Sequence, residues 1–420
     1  MDANDRALTA FAMLGHATFH TYELVIPVFV AIWIDAFTAS PALWGVVAGA
    51  SYALVGVGAL PSGVLADRLG SKRLVLVCLL GMGAAFGLVS VAPTLPVLAG
   101  ALLLWGAAAS IYHPAGLALL SRGAKARGPA FAYHGAAGNV GVAVGPLLAA
   151  VLLVFFDWRA VAAVLIVPAL VATVAGWRLT FDETAGSAAR ANGGGADTDG
   201  GVDAAADGPG DRGDAGGLRG FLRDSRLLFT AGFILVLVTG VLYGLYYRGA
   251  TTFLPEVLGG LPLFAPVEFY GRTVEPSQYV YSGLLLLGGF GQYAGGWLVD
   301  RVPVERALVG CYAALAAIAV VFIPAAGAGL VPLLAVAAAF GFCAFLVAPV
   351  NQEAISAYSG ADVRGLSFGY SYTAIFGVGA LGASLAGVVL TRSTPAVLFL
   401  LLAGVAGCAM LLGGVLLWRS

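Results

Sequence analysis

The run GHATFHTYELVIP, residues 15–27, sets His16, His20 and Glu23 at i, i+4 and i+7. On a helix that spacing puts two imidazoles and a carboxylate on one face, and Pro27 extends the row. Imidazole changes charge at about pH 6.5, so such a face can take up and release protons under ordinary conditions. His113 and His134 complete the chain's four histidines and are candidates for the same chemistry, with Asn139 five residues beyond His134. The structural alternative for each is a hydrogen bond between helices. Metal binding is another use of histidine, but beyond one i, i+4 pair these four show no tight ligand pattern, so no metal is expected. Arg248 is the one arginine well inside an apolar run. It could bind an anionic group of a solute or pair with Glu23. Tyr243, Tyr246 and Tyr247 nearby could line a cavity or form an interfacial aromatic belt. Asn351, Gln352 and Glu353 make a further polar cluster, in which Glu353 could instead pair with a loop arginine.

The chain around these groups is built to be buried. Of its 420 residues 60% are hydrophobic and 10% charged, and the mean hydropathy is +0.94. Soluble domains carry about 25% charged residues, so a multispanning membrane protein is expected. The net charge of −1 offers no basic face for nucleic acid. Cys78, Cys311, Cys343 and Cys408 lie in apolar runs without C-x-x-C spacing and read as buried free thiols. The phosphate-binding pattern G-x-x-x-x-G-K-[ST] is absent, and no cofactor is expected. No clustered catalytic set suggests an enzyme.

A hydrocarbon core about 30 Å thick requires about 20 apolar residues per helix. Twelve runs qualify: residues 8–35, 42–66, 74–92, 96–121, 129–155 and 158–179, then 227–257, 277–299, 306–324, 328–357, 366–390 and 395–418. The first follows the polar start MDANDR and is too long for a cleavable signal. His16 and His20 then lie roughly 12–18 Å into the first span. An unpaired polar group at that depth costs several kcal/mol, so these side chains should face a water-filled cavity or a partner helix. Residues 1–179 and 227–420 are expected to form two six-helix bundles. Residues 180–226, rich in Gly, Ala and Asp, read as a disordered acidic linker. Arg68, Lys72, Arg73, Arg122, Lys125, Arg127, Arg178, Arg219, Arg223, Arg226, Arg301, Arg306 and Arg364 all fall on the linker side. By the positive-inside rule both termini and the linker are cytoplasmic.

The halves are repeats. GVLADRLGSKR (63–73) matches GWLVDRVPVER (296–306), and RGPAFAY (127–133) matches RGLSFGY (364–370). Pro114 and Ser121 match Pro349 and Ser356, and His20 and Pro27 parallel Arg248 and Pro255. Matches in one order, with six spans apiece, imply two bundles related by an axis along the membrane normal.

GVLADRLGSKR resembles the loop 2–3 signature of the major facilitator superfamily, G-x-x-x-D-R-x-G-R-R, with Ser71 at the first position of the closing basic pair. The resemblance implies an all-α membrane protein of twelve transmembrane helices in two pseudo-symmetric six-helix bundles. It also implies gating roles for Asp67, Arg68 and Arg73, with Asp300 and Arg301 as their counterparts. An aspartate at a helix end can accept from the N-terminus of a facing helix, and the expected partner is the start of the eleventh span, near Gly365. YHPAG (112–116) and AYHGAAGNVGVAVGPLLAA (132–150) resemble the fosmidomycin-resistance-type efflux proteins, as does YYRGATTFLPEVL (246–258). GVAVGPLLAA resembles an antiporter signature and adds Gly145 and Pro146 to the gating candidates. Leu102 stands near the place where drug–proton antiporters carry an arginine on their fourth helix.

Together these imply a monomeric plasma-membrane transporter with a small-molecule substrate, protons and the lipid bilayer as its partners. Proton-coupled export of an organic solute is the leading expectation. Uptake of a small anion on Arg248 is the alternative, and a receptor or lipid-modifying enzyme on the same fold is the remote one.

Overall fold

The structure, a computed structural model, describes residues 1–193, 223, 225–360 and 364–420. Twelve membrane-crossing elements follow one another. In the first half they are α1 (Ala3–Ala36), α2 (Pro41–Val57 with Ala59–Leu69), α3 (Ser71–Val91), α4 (Leu95–Gly123), α5 (Arg127–Leu153) and α6 (Trp158–Arg178). In the second half they are α7 (Ala231–Thr251), α8 (Pro276–Val299), α9 (Val304–Ala328), α10 (Leu330–Ala357), α11 (Leu366–Arg392) and α12 (Pro395–Arg419). Ten are single spans by length and hydropathy, and α2 is an eleventh bent by 44°. The twelfth, α8, has 24 residues, made less apolar by Gln278 and Gln292. This is the expected all-α, two-bundle architecture.

Local chemistry explains the ends and breaks. Asp2 caps α1 by accepting from the Asp5 amide at 2.9 Å, so the helix starts earlier than its apolar run. The helix of α4 breaks between Ala109 and Tyr112. Pro114 has no amide hydrogen and its ring crowds the carbonyl four residues back, at Ser110. In α11 a π-helical stretch covers Thr373–Val378. Between α7 and α8 the chain makes a hairpin that sequence patterning did not suggest, β1 (Val267–Phe269) paired with β2 (Arg272–Val274). Its turn residues Tyr270 and Gly271 both have positive φ, as tight hairpin turns require.

The linker expectation is corrected at its start. Residues 185–193 form a short helix, not a featureless coil. Ser187 donates to the Arg122 carbonyl at 3.3 Å, and Arg190 to that of Ser121 at 2.9 Å. Just before it, Asn4 accepts from the Asp182 amide at 2.7 Å and donates to the Gly123 carbonyl. Beside Asn4 the buried Asp5 carboxylate accepts from the Lys125 and Ala126 amides at 2.9 Å each. Residues 194–222 and 224, where the rest of the acidic linker falls, lie outside the described residues.

The halves meet along two seams, α2 with α11 and α5 with α8. The first is backbone against backbone. A Cβ on Gly45 would fall 2.6 Å from the Ala383 carbonyl, and one on Gly56 would fall 2.2 Å from the Gly377 nitrogen. Ala42 donates to Thr391 at 2.8 Å and Ser384 to the Gly45 carbonyl at 3.1 Å. On the second seam Tyr279 reaches the Ala150 carbonyl at 3.4 Å. These contacts lie between the middle of the bundle and the side away from the linker.

Candidate functional site

At the centre, α1 of one half meets α7 of the other. Glu23 and Arg248 are 3% and 2% exposed and form a direct ion pair. Tyr52 lies 4.0 Å and Tyr247 5.4 Å from the guanidinium carbon, giving it two aromatic faces. The Tyr52 hydroxyl also donates to the Glu23 carbonyl at 3.2 Å. Two charges so far from water persist only when paired and hydrogen-bonded.

The other Glu23 oxygen accepts from His20 Nδ1 at 2.6 Å. His20 Nε2 in turn faces His16 Nε2 at 3.1 Å, and His16 Nδ1 lies 2.8 Å from the His134 carbonyl. A carbonyl only accepts, so His16 carries hydrogen on Nδ1. An ionised Glu23 likewise requires hydrogen on His20 Nδ1. Were both rings neutral, two lone pairs would then face each other across 3.1 Å. One added proton resolves the conflict, held between the two Nε2 atoms. Its other arrangement puts hydrogen on Glu23 and leaves His20 to donate through Nε2, with the same total. The result is one continuous chain from Arg248 through Glu23 and His20 to His16.

His134 and Tyr112 support this chain. The His16 and His134 rings stack at 3.9 Å. Tyr112 donates to the Ala12 carbonyl at 2.5 Å, so its oxygen accepts from His134 Nε2 at 3.1 Å. Gly138 makes the stack possible, since a Cβ there would fall 2.5 Å from the His16 ring. His113, on the turn that Pro114 opens, packs against Tyr372 and Phe376 of α11 at 5.7 and 6.2 Å between ring centres. Its Nε2 is buried without a partner among the described residues.

One ring nitrogen from each of His16, His20 and His113 lies within 4.8 Å of the other two. Sequence spacing gave no such cluster, because its third member comes from another helix. A metal ion could bridge these nitrogens. With Glu23 already neutralised by Arg248, however, a single proton satisfies the facing pair at lower charge.

A second polar group sits in the other half. Tyr243, Asn351, Gln352, Ser371, Tyr372 and Phe376 line a pocket between α7, α10 and α11. Asn351 is 3% exposed, and the Tyr312 hydroxyl bonds its Oδ1 at 2.9 Å. Its Nδ2 has no partner among the described residues. Tyr243 donates to the Ala344 carbonyl at 2.9 Å.

Other expected site residues are placed elsewhere. Asn139 faces Gly289 on the α5–α8 seam, away from the histidines. Glu353 is exposed, one residue past the pocket-lining Gln352. Asp67 pairs with Arg122 of its own half at 2.5 Å, and Arg122 also donates to Ser71 at 2.9 Å. Gly365, the expected partner, has no described side-chain surroundings. Arg68, Arg73, Asp300 and Arg301 are exposed, and Arg301 stacks on Trp297 at 4.3 Å. Gly145 packs on Thr21 of α1, where a Cβ would fall 2.7 Å from its Cα. It and the adjacent, buried Pro146 therefore sit within one half. The thiols are unpaired; Cys78 and Cys311 are buried as expected, while Cys343 is half-buried and Cys408 exposed.

Sequence reasoning missed Tyr52, Tyr112, Tyr372 and Phe376. Tyr112 alone carried a signal, as the residue before His113 in YHPAG.

The two seamed bundles with a buried polar centre define a multi-pass membrane protein of transporter type. The Major Facilitator Superfamily model matches residues 9–378, and the chain belongs to that superfamily. Several solved structures share its fold. A bacterial homologue of the human lysosomal transporter Spinster, inward-facing and occupied, is 14% identical with a TM-score of 0.70, covering 100% of this chain and 96% of its own. A nucleoside transporter is 13% identical with a TM-score of 0.73, covering 98% and 99%. A D-xylose–proton symporter is 13% identical with a TM-score of 0.72, covering 99% and 98%. At these identities the likeness is one of fold. No curated protein matches the chain.

Proposed function

We propose that this protein is a proton-coupled exporter of a small organic solute, working by alternating access as a monomer in the plasma membrane. Its termini and linker face the cytoplasm. The observation that carries the reading is the buried chain Arg248–Glu23–His20–His16, which joins a proton-binding group to the contact between halves. The Nδ1 hydrogen of His20 passes to Glu23 across 2.6 Å as the shared proton settles on His20 Nε2, so His20 stays neutral and Glu23 becomes the acid. This leaves Arg248 facing a neutral acid in place of a carboxylate, which weakens the tie between halves. The halves can then part, and the proton leaves on the side newly opened. Protonation thus biases a two-state equilibrium by its differential interaction with the two states. The motifs YHPAG and GVAVGPLLAA, similar to those of fosmidomycin-resistance-type efflux proteins, favour export. Arg248 as the ligand of an anionic solute has less support, since Glu23 already holds its guanidinium.

The test is proton release from acid-loaded everted vesicles, read by a pH-sensitive dye as solutes are added. Solute-dependent proton efflux, absent with His20→Ala, is expected. Proton-driven accumulation in right-side-out cells instead would overturn the direction of transport.

A further inference from the structure

We infer that the transported solute is uncharged, with a carbonyl-type oxygen on a planar or aromatic body, and that the α7–α10–α11 pocket binds it. This rests on the transport reading above and deepens it.

Among the described residues the pocket lining holds no carboxylate, imidazole or basic side chain. Its lining is aromatic and aliphatic, with Asn351, Gln352 and Ser371 as polar groups besides the tyrosines. Ser371 is occupied by the Ser367 carbonyl at 2.8 Å. Asn351 is held from one end by Tyr312, whose hydroxyl also reaches the Thr239 carbonyl at 3.2 Å, while its buried Nδ2 has no partner among the described residues. A buried donor without a partner carries a standing free-energy cost, which a ligand oxygen removes. Tyr372 and Phe376 stack on each other at 5.4 Å, and that pair borders the pocket as a flat apolar wall. The cavity volume is about 90 Å³, room for the oxygen-bearing end of a small solute and less than a whole drug-sized ligand fills.

Charge argues the same way. Arg248 lies 6.0 Å from the Phe376 ring that borders the pocket, and Glu23 already pairs it. An anion entering the pocket would lose water and gain no free counter-charge. A cation would meet aromatic faces but no carboxylate.

Three isosteric probes separate these cases: benzamide (neutral), benzoate (anion) and benzamidinium (cation). Their binding to the full chain in lipid nanodiscs is read by ligand-observed NMR. Benzamide is expected to bind best, and Asn351→Ala should weaken it roughly tenfold, the loss of one hydrogen bond to a buried amide. Should Asn351→Ala fold poorly, Gln352→Glu at the exposed rim gives a second readout. It should raise benzamidinium binding, lower benzoate binding and leave the protein folded. Benzoate binding best, equal binding of all three, no binding of any, or indifference to both substitutions would each overturn the assignment. Proton coupling is measured separately in vesicles, so a neutral-probe failure with intact solute-driven proton release would strike this inference alone.

Discussion

α1 and α7 occupy equivalent places in their halves, yet α1 carries His16, His20 and Glu23 where α7 carries Arg248 among Tyr243, Tyr246 and Tyr247. All four histidines belong to the first half. In the second, the polar groups around the pocket are amides and hydroxyls. Duplication preserves the packing pattern, because any six-helix bundle needs the same small-residue seams and apolar faces. Chemistry at the centre is free to diverge, because each half needs only one complementary partner across the axis. The difference points to a division in which one half handles the proton and the other the solute, with Arg248 as the tie.

The most damaging way to break this comparison is to remove one member of the tie. Glu23→Gln leaves Arg248 buried without its counter-charge and should cost about 3–5 kcal/mol. Glu23→Gln with Arg248→Met should recover most of that stability without restoring coupling. Thermal unfolding in detergent, alongside vesicle flux, would show whether the pair acts this way. A single variant as stable as the parent would mean that the two side chains are not a unit.

A sharper cut separates the halves functionally. His20→Ala and His113→Ala should abolish pH-driven transport while solute counterflow partly survives. Tyr372→Leu should weaken both through poorer solute binding. Equal loss of both activities and of expression in the histidine variants would point to a structural role in place of a proton-carrying one.

Gly56→Ala tests the seam shared by both halves. The new methyl would meet the Gly377 backbone, and overpacking of this kind costs about 1–3 kcal/mol. Slower turnover with unchanged solute affinity is expected from flux and binding measurements made together.

The smallest effect is expected at Asp67. Its pair with Arg122 is partly exposed, so Asp67→Asn should change stability by about 1 kcal/mol or less. If the aspartate also latches the opposite access state, cysteine labelling at the linker-side ends of α4 and α10 will rise while transport slows. Unchanged labelling with slower transport would place its effect elsewhere.

The architecture was legible because span length follows from bilayer thickness. So was the α1 row, since helical period alone aligns His16, His20 and Glu23. The pairing of Glu23 with Arg248 was one of two alternatives that pseudo-symmetry offered. What stayed hidden depends on which faces of different helices meet. Tyr52 carries no local sign that it lies over a guanidinium from the other half. Asn139 lies on the same helix as His134 but turns toward α8. Asp67 matched a motif, yet the motif fixes a residue type at a helix end and not its partner in one state.

The clasp at the N-terminus has a consequence for biosynthesis. Asn4 and Asp182 are 178 residues apart in the chain, and Asp5 waits for the amides of residues 125 and 126. A ribosome adding about 5–20 residues per second needs roughly 10–40 seconds to supply the last partner. Until then α1, with its buried histidines and glutamate, sits in the membrane with its leading end only partly secured. The first bundle is therefore locked last at its own beginning, only once the sixth span has emerged. Stalled chains ending before residue 123 should expose Asn4 and Asp5 to proteolysis, and chains ending well beyond residue 182 should not.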